Sequence, residues 1–143
     1  MTVDINPDKV FEVVYKTTAY AAVQRGDSNL VANEDNANIL TEYYAEGWTV
    51  LGGLFAPYSP EFDYENDDVS HIYPFSVALN MPGNWGGTSD DLEFLTSEYM
   101  ANFVLYKWFG LTSDGERFAT TANGIIENIK IILAKRLKPE YGK

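Results

Sequence analysis

The stretch "SEYMANFVLYKWFGLT", residues 97–112, has the length and residue types of a helix, yet its apolar and aromatic side chains point nearly all the way round. A helix on the outside of a globular domain needs an apolar stripe only about 100° wide. Tyr99, Met100, Phe103, Val104, Leu105, Tyr106, Trp108 and Phe109 exceed that. Two arrangements accommodate such a helix. It is either a central element wrapped by its neighbours, or one whose surplus is covered by another protein. A four-helix bundle draws only a stripe from each helix, so the second arrangement, self-association, is the expectation.

The start and end of this helix are marked. Thr88 or Ser89 serves as N-cap, with Asp90, Asp91 and Glu93 at its positive end, and Gly110 closes it after Phe109. Beyond it, "SDGE" at residues 113–116 fits a capping box and opens another helix. Phe118, Ala122, Ile125, Ile126, Ile129, Ile132, Leu133 and Leu137 give that helix the cleanest amphipathic stripe in the chain. Pro139 closes it, with Lys135, Arg136 and Lys138 near its negative end. Ile131 falls off the stripe, beside Gly124 and Glu127. Combined with the surplus aromatics, it would form an interface core.

Upstream, Asn6-Pro7 reads as N-cap and first position of a helix that ends at Gly26. Val10, Val13, Val14, Tyr20, Ala21 and Val23 supply its apolar positions. A second helix starts after Asn33, carries the stripe Ala37, Leu40, Tyr44, Trp48, Leu51 and Phe55, and stops at Pro57. Residues 57–70 are rich in Pro, Asn, Asp and Ser, which excludes helix. "IYPFSVALN", residues 72–80, reads as a strand, one arm of a hairpin whose other arm is around residues 59–64. Pro74 places this strand at an edge, where it and Phe75 can meet a neighbouring chain. The expected architecture is mainly α: one domain over 1–143, four-helix bundle-like, with a β-hairpin inserted at approximately 57–82.

Charge is spread unevenly. Residues 1–25 hold three acids and three bases; residues 26–106 hold fourteen acids and no lysine or arginine; residues 107–143 hold seven bases against four acids. The formal net charge of −11 disfavours ordinary nucleic-acid binding, because phosphates would meet carboxylates. No apolar run reaches the ~18–20 residues that span a bilayer, and "MTVDINPDKV" has no secretory pattern, so no membrane and a cytoplasmic setting are expected. Without cysteine there is no thiol chemistry.

Catalytic signatures are weak. "EFDYENDDVSH", residues 61–71, has alternating carboxylates but lacks the glycine and distant glutamate of a calcium loop, so a solvated acidic tip is the better reading. "GNWGG", residues 83–87, lacks the lysine of a phosphate loop and reads as a turn. His71 is the only histidine, and carboxylate pairs such as Glu42 with Glu46 carry little specificity in so acidic a chain. No enzyme, no metal and no cofactor are expected.

The segment from "PFSVALNMPGNW" to "AKRLKP" resembles small proteins of tailed bacteriophages that infect gut Bacteroides, including crAss-like phages. Met81, Pro82, Asn84 and Trp85 match a turn of the type "MPxNW"; Lys107, Trp108 and Phe109 match a helix ending in "KWF"; and "VYKTTAY", residues 14–20, is similar to that group's first helix. The resemblance implies a head–tail connector or neck-ring protein of the virion, assembled in the host cytoplasm. It further implies a homo-oligomeric ring, commonly twelve-fold, that contacts the portal protein and other neck or tail proteins. Genomic double-stranded DNA would pass through the lumen without sequence-specific binding. Tyr106, Trp108, Phe109, Ile131, Pro74 and Phe75 are the expected interface residues. The basic end of the chain either docks on an acidic neighbouring ring or merely matches its helix dipole. A rival expectation is an acidic DNA mimic or inhibitor that occupies a basic host enzyme. A third is a metal-dependent hydrolase built on residues 63–71.

Overall fold

The helix that raised the question is central. In the computed structural model, which describes residues 1–59 and 76–138, the chain runs β1 (Thr2–Asp4), α1 (Pro7–Arg25), α2 (Ala37–Phe55), β2 (Ser76–Ala78), α3 (Ser89–Phe109) and α4 (Ser113–Ala134). It is mainly helical with a small two-stranded antiparallel sheet. Helix α3 packs against α4 most extensively and also against α2, α1 and β1. Tyr99, Met100, Ala101, Val104, Leu105 and Phe109 are buried on several sides of it, which accounts for most of its encircling apolar surface. Burial pushes the Tyr99 phenol up to about 12, so it stays neutral at ordinary pH.

The helix ends follow their caps. Asn6 accepts from the Asp8 amide at 3.0 Å, Pro7 occupies the first turn, and Gly26 closes α1 in a left-handed conformation (φ 64°). Asn33 caps a short 3₁₀ turn, Glu34–Asn36, that feeds α2. Thr88 caps α3, and Gly110 turns the chain at φ 61°. Helix α4 departs from the sequence reading at both ends. Its cap is Thr112, whose hydroxyl accepts from the Gly115 amide at 3.2 Å, not the expected 113–116 box. It stops at Ala134, five positions before Pro139.

That early stop has a cause. Residues 135–137 leave the helix to pair with the turn at 84–86: Gly86 N–H donates to the Lys135 carbonyl at 3.0 Å, and Leu137 N–H donates to that of Asn84 at 2.6 Å. The Trp85 indole N–H donates to the Ile132 carbonyl at 2.8 Å, satisfying one of the orphan acceptors at the end of α4. The Arg136 guanidinium covers the Leu133 carbonyl at 2.8 Å. The "MPGNW" turn is therefore a clasp for the end of α4, and Leu137, expected in the helix stripe, is exposed outside it.

Of the strand expected at 72–80, the described residues begin at 76. Among the described residues, regular strand covers Ser76–Ala78, and its partner is the N-terminal strand β1, with Val3 opposite Val77. Asn80 N–H also donates to the Tyr58 carbonyl at 2.7 Å. Apart from buried Ser59, the other hairpin arm expected at 59–64 lies outside the described residues, as do Pro74, Phe75 and the acidic loop 61–71. Strand β1 was missed, although its signal is present: Val3 and Ile5 are buried while Thr2 and Asp4 are exposed, a period of two.

Helix α2 buries Leu40, Tyr44, Trp48, Leu51 and Phe55, as its stripe implies. Gly47 lets α2 approach α3 closely, since a Cβ there would lie 3.0 Å from Phe103 and 3.3 Å from the Met100 sulfur. In α1 the buried set is Val10, Phe11, Val14, Thr18 and Ala22, so Val13, Tyr20 and Val23 face away from the core. The expected α1 stripe was wrong at these three positions because apolar residues lie on both sides of the helix.

Two threonines separate polar burial that is satisfied from polar burial that is not. The Thr18 hydroxyl donates to the Tyr15 carbonyl and accepts from the Ala32 amide at 3.0 Å, pinning the 27–33 loop to α1. The Thr96 hydroxyl is buried and has no partner among the described residues. Removing an unsatisfied buried hydroxyl recovers its desolvation cost. Thr96→Val is therefore expected to raise stability by about 1 kcal/mol, and Thr18→Val to lower it by about 1–3 kcal/mol. Urea denaturation of both variants checks the opposite signs.

Candidate assembly surfaces

The six expected interface residues fall into four groups. Phe109 is only 6% exposed and stacks on Phe118 with centroids 5.5 Å apart, so little of it remains for a partner. Trp108 and Tyr106 are half-buried within the chain. The Trp108 indole donates to the Leu30 carbonyl at 2.7 Å, a second tie on the 27–33 loop. Tyr106 meets Phe103 edge-on at 5.9 Å. Only Ile131 stands out, 65% exposed on α4. Pro74 and Phe75 are outside the described residues.

What the sequence reading missed is the outward side of α1. Val13 is half-exposed, Tyr20 is 65% exposed and Val23 is 82% exposed. Positions 13 and 20 are seven apart, two helical turns, and 23 follows one turn after 20, so all three share a side. Lys16 lies between Val13 and Tyr20, and the Tyr20 hydroxyl accepts from Gln24 at 3.0 Å. Single exposed apolar side chains are ordinary; three along one helix side are a patch. Phe94 on α3 and Leu111 at the α3–α4 corner are further exposed apolar residues.

Ion pairs join the helices across the fold. Arg25, at the end of α1, grips Asp114 in the first turn of α4 with two bonds of 2.7 Å. This planar two-point geometry suits Arg and carboxylate. Lys107 contacts Glu46 of α2 at 2.8 Å, and that hydrogen bond raises its pKa. A lysine held in its cationic form is a poor nucleophile or base. Among the described residues, no group of three or more His, Cys, Asp or Glu is placed to hold a metal ion. No helix among them is long and apolar enough to cross a membrane.

No protein-family model, curated protein or solved structure matches this chain.

Proposed function

We propose that this chain is a non-enzymatic virion subunit: a head–tail connector or neck-ring protein of a tailed bacteriophage. In this reading, copies assemble into a ring below the portal, and the ring continues the DNA channel. The four helices would form the bundle-like body. Portal, other neck and tail proteins would be its partners, and neither a cofactor nor a metal takes part.

The observation that carries this reading is the apolar side of α1, Val13, Tyr20 and Val23, exposed on a chain whose core is otherwise well filled. Ring subunits use head-to-tail contacts, so each copy needs two different adhesive surfaces. The side of α1 supplies one and Ile131 on α4 marks a candidate for the other. Charge fits as well. Residues 26–106 hold no lysine or arginine, and a lumen lined by them would let DNA slide past without counterion-releasing contacts.

Cryo-electron microscopy of phage particles encoding this chain tests the proposal. Density that fits residues 1–59 and 76–138 in a ring at the head–tail junction is expected. Particles that lack the protein, or that carry it away from the neck, would refute the assignment.

A further inference from the structure

Two shallow depressions lie between α1 and the Glu34–Asn36 turn and share Tyr15 and Glu34 in their linings. Four carboxylates line them, those of Asp8, Glu12, Glu34 and Asp35, against one lysine. That lysine, Lys16, already donates to Glu12 at 2.7 Å, which holds the Glu12 carboxyl below its usual range. The groove is thus negative. Its remaining wall includes the apolar faces of Phe11 and Tyr15. Through Lys16, one turn from both Val13 and Tyr20, it is continuous with the exposed apolar side of α1.

The opposite chemistry sits at the other end of the chain. Lys135, Arg136, Leu137 and Lys138 are all exposed, three cations around one leucine. This strip is not a frayed end. Its backbone is held extended by the bonds to Asn84 and Gly86, and the Lys135 and Leu137 side chains both lie over Gly86, where a Cβ would be 3.2 and 3.5 Å from them. A strip already fixed in extended form loses little freedom on docking.

We propose that the 135–138 strip of one copy seats in the carboxylate-lined groove of a second copy. Lys135 and Lys138 approach Glu34 and Asp35, and Leu137 meets the apolar wall. The inference rests on the reading that copies of this chain assemble, and it names the contact. Groove and strip are different surfaces, so the contact is head-to-tail and repeats from copy to copy, as a ring requires. Its charge-paired character makes it weaken with added salt.

Zero-length carbodiimide cross-linking of an equal mixture of isotopically heavy and light chains tests it. Hybrid heavy–light cross-links are expected between Lys135 or Lys138 and Glu34 or Asp35. The doubly substituted Glu34→Lys/Asp35→Lys chain, and separately Lys135→Glu/Lys138→Glu, should each lose hybrid association by about tenfold or more, because like charges then face each other. All four positions are exposed, so both variants should keep the wild-type circular dichroism. Mixing the two variants pairs each reversed surface with its reversed partner and should restore association. If mass by light scattering rises with concentration but hybrid cross-links fall elsewhere, the contact is wrong while ring assembly stands. If the mass stays at one chain at every concentration and no hybrid forms, both fail.

Discussion

Gly115→Ala is expected to destabilise the protein by roughly 3 kcal/mol, more than any other single added methyl group at a described glycine. Gly115 sits in the first turn of α4, where an added Cβ would run into the carbonyl of Gly110. The obstacle is backbone, so no side-chain rotation relieves it. Nor can the Gly110 carbonyl swing away cheaply, because Gly110 holds φ 61° and its amide is bonded to the Tyr106 carbonyl at 2.9 Å. Relief would mean parting α3 from α4, the largest helix–helix contact among the described residues. Gly124, nine positions along the same helix, is the control. A Cβ there meets nothing within 4 Å, so Gly124→Ala should gain about 0.5–1 kcal/mol through helix propensity. Urea midpoints measured on the two variants should move in opposite directions. Equal shifts would mean that the tight corner at Gly110 and Gly115 is wrong.

Trp85→Ala is expected to cost about 2–4 kcal/mol and to release the end of the chain. Its indole fills the space that Gly87 leaves by having no side chain: a Cβ there would run into the ring and lie 3.0 Å from Ile132. Its N–H caps α4 through the Ile132 carbonyl. Removing the ring therefore takes away both the cap and the packing that seats residues 135–137. Trp85→Phe keeps most of the packing and loses the hydrogen bond, so it should fall between the two, at about 1 kcal/mol. Hydrogen exchange supplies a readout that stability alone does not. The Gly86 and Leu137 amides, both bonded across the clasp, should lose protection in Trp85→Ala while buried α3 amides keep theirs. Unchanged exchange at those two amides would show that Trp85 does not hold the clasp.

Local signals in the sequence carried most of the helical layout. Asn6-Pro7, Gly26, Thr88 and Gly110 mark ends that the structure bears out, because a cap needs only residues within a few positions. Long-range pairing was not legible. Nothing around Arg136 announces that it will bridge to Trp85, so α4 was extended to Pro139 although the chain leaves the helix at Ala134. Strand β1 was overlooked because three residues give too short an alternation to weigh against the helix beginning at Pro7. The expected self-association followed from counting apolar positions on residues 97–112. Burial answers most of that count, since α3 has neighbours on several sides. The exposed apolar residues that line up along one helix side are on α1, where apolar residues occupy both sides and periodicity alone cannot say which side faces in.

Covering that side of α1 is what the functional reading depends on, and light scattering of the wild-type chain beside Tyr20→Glu/Val23→Glu addresses it most directly. Both positions are exposed, so the substitutions should leave the fold intact. The wild-type mass should climb toward a closed ring as concentration rises from micromolar to millimolar, and the variant should remain at the mass of one chain. A variant that assembles as readily as the wild type, or a wild type that never leaves the monomer, would contradict the account.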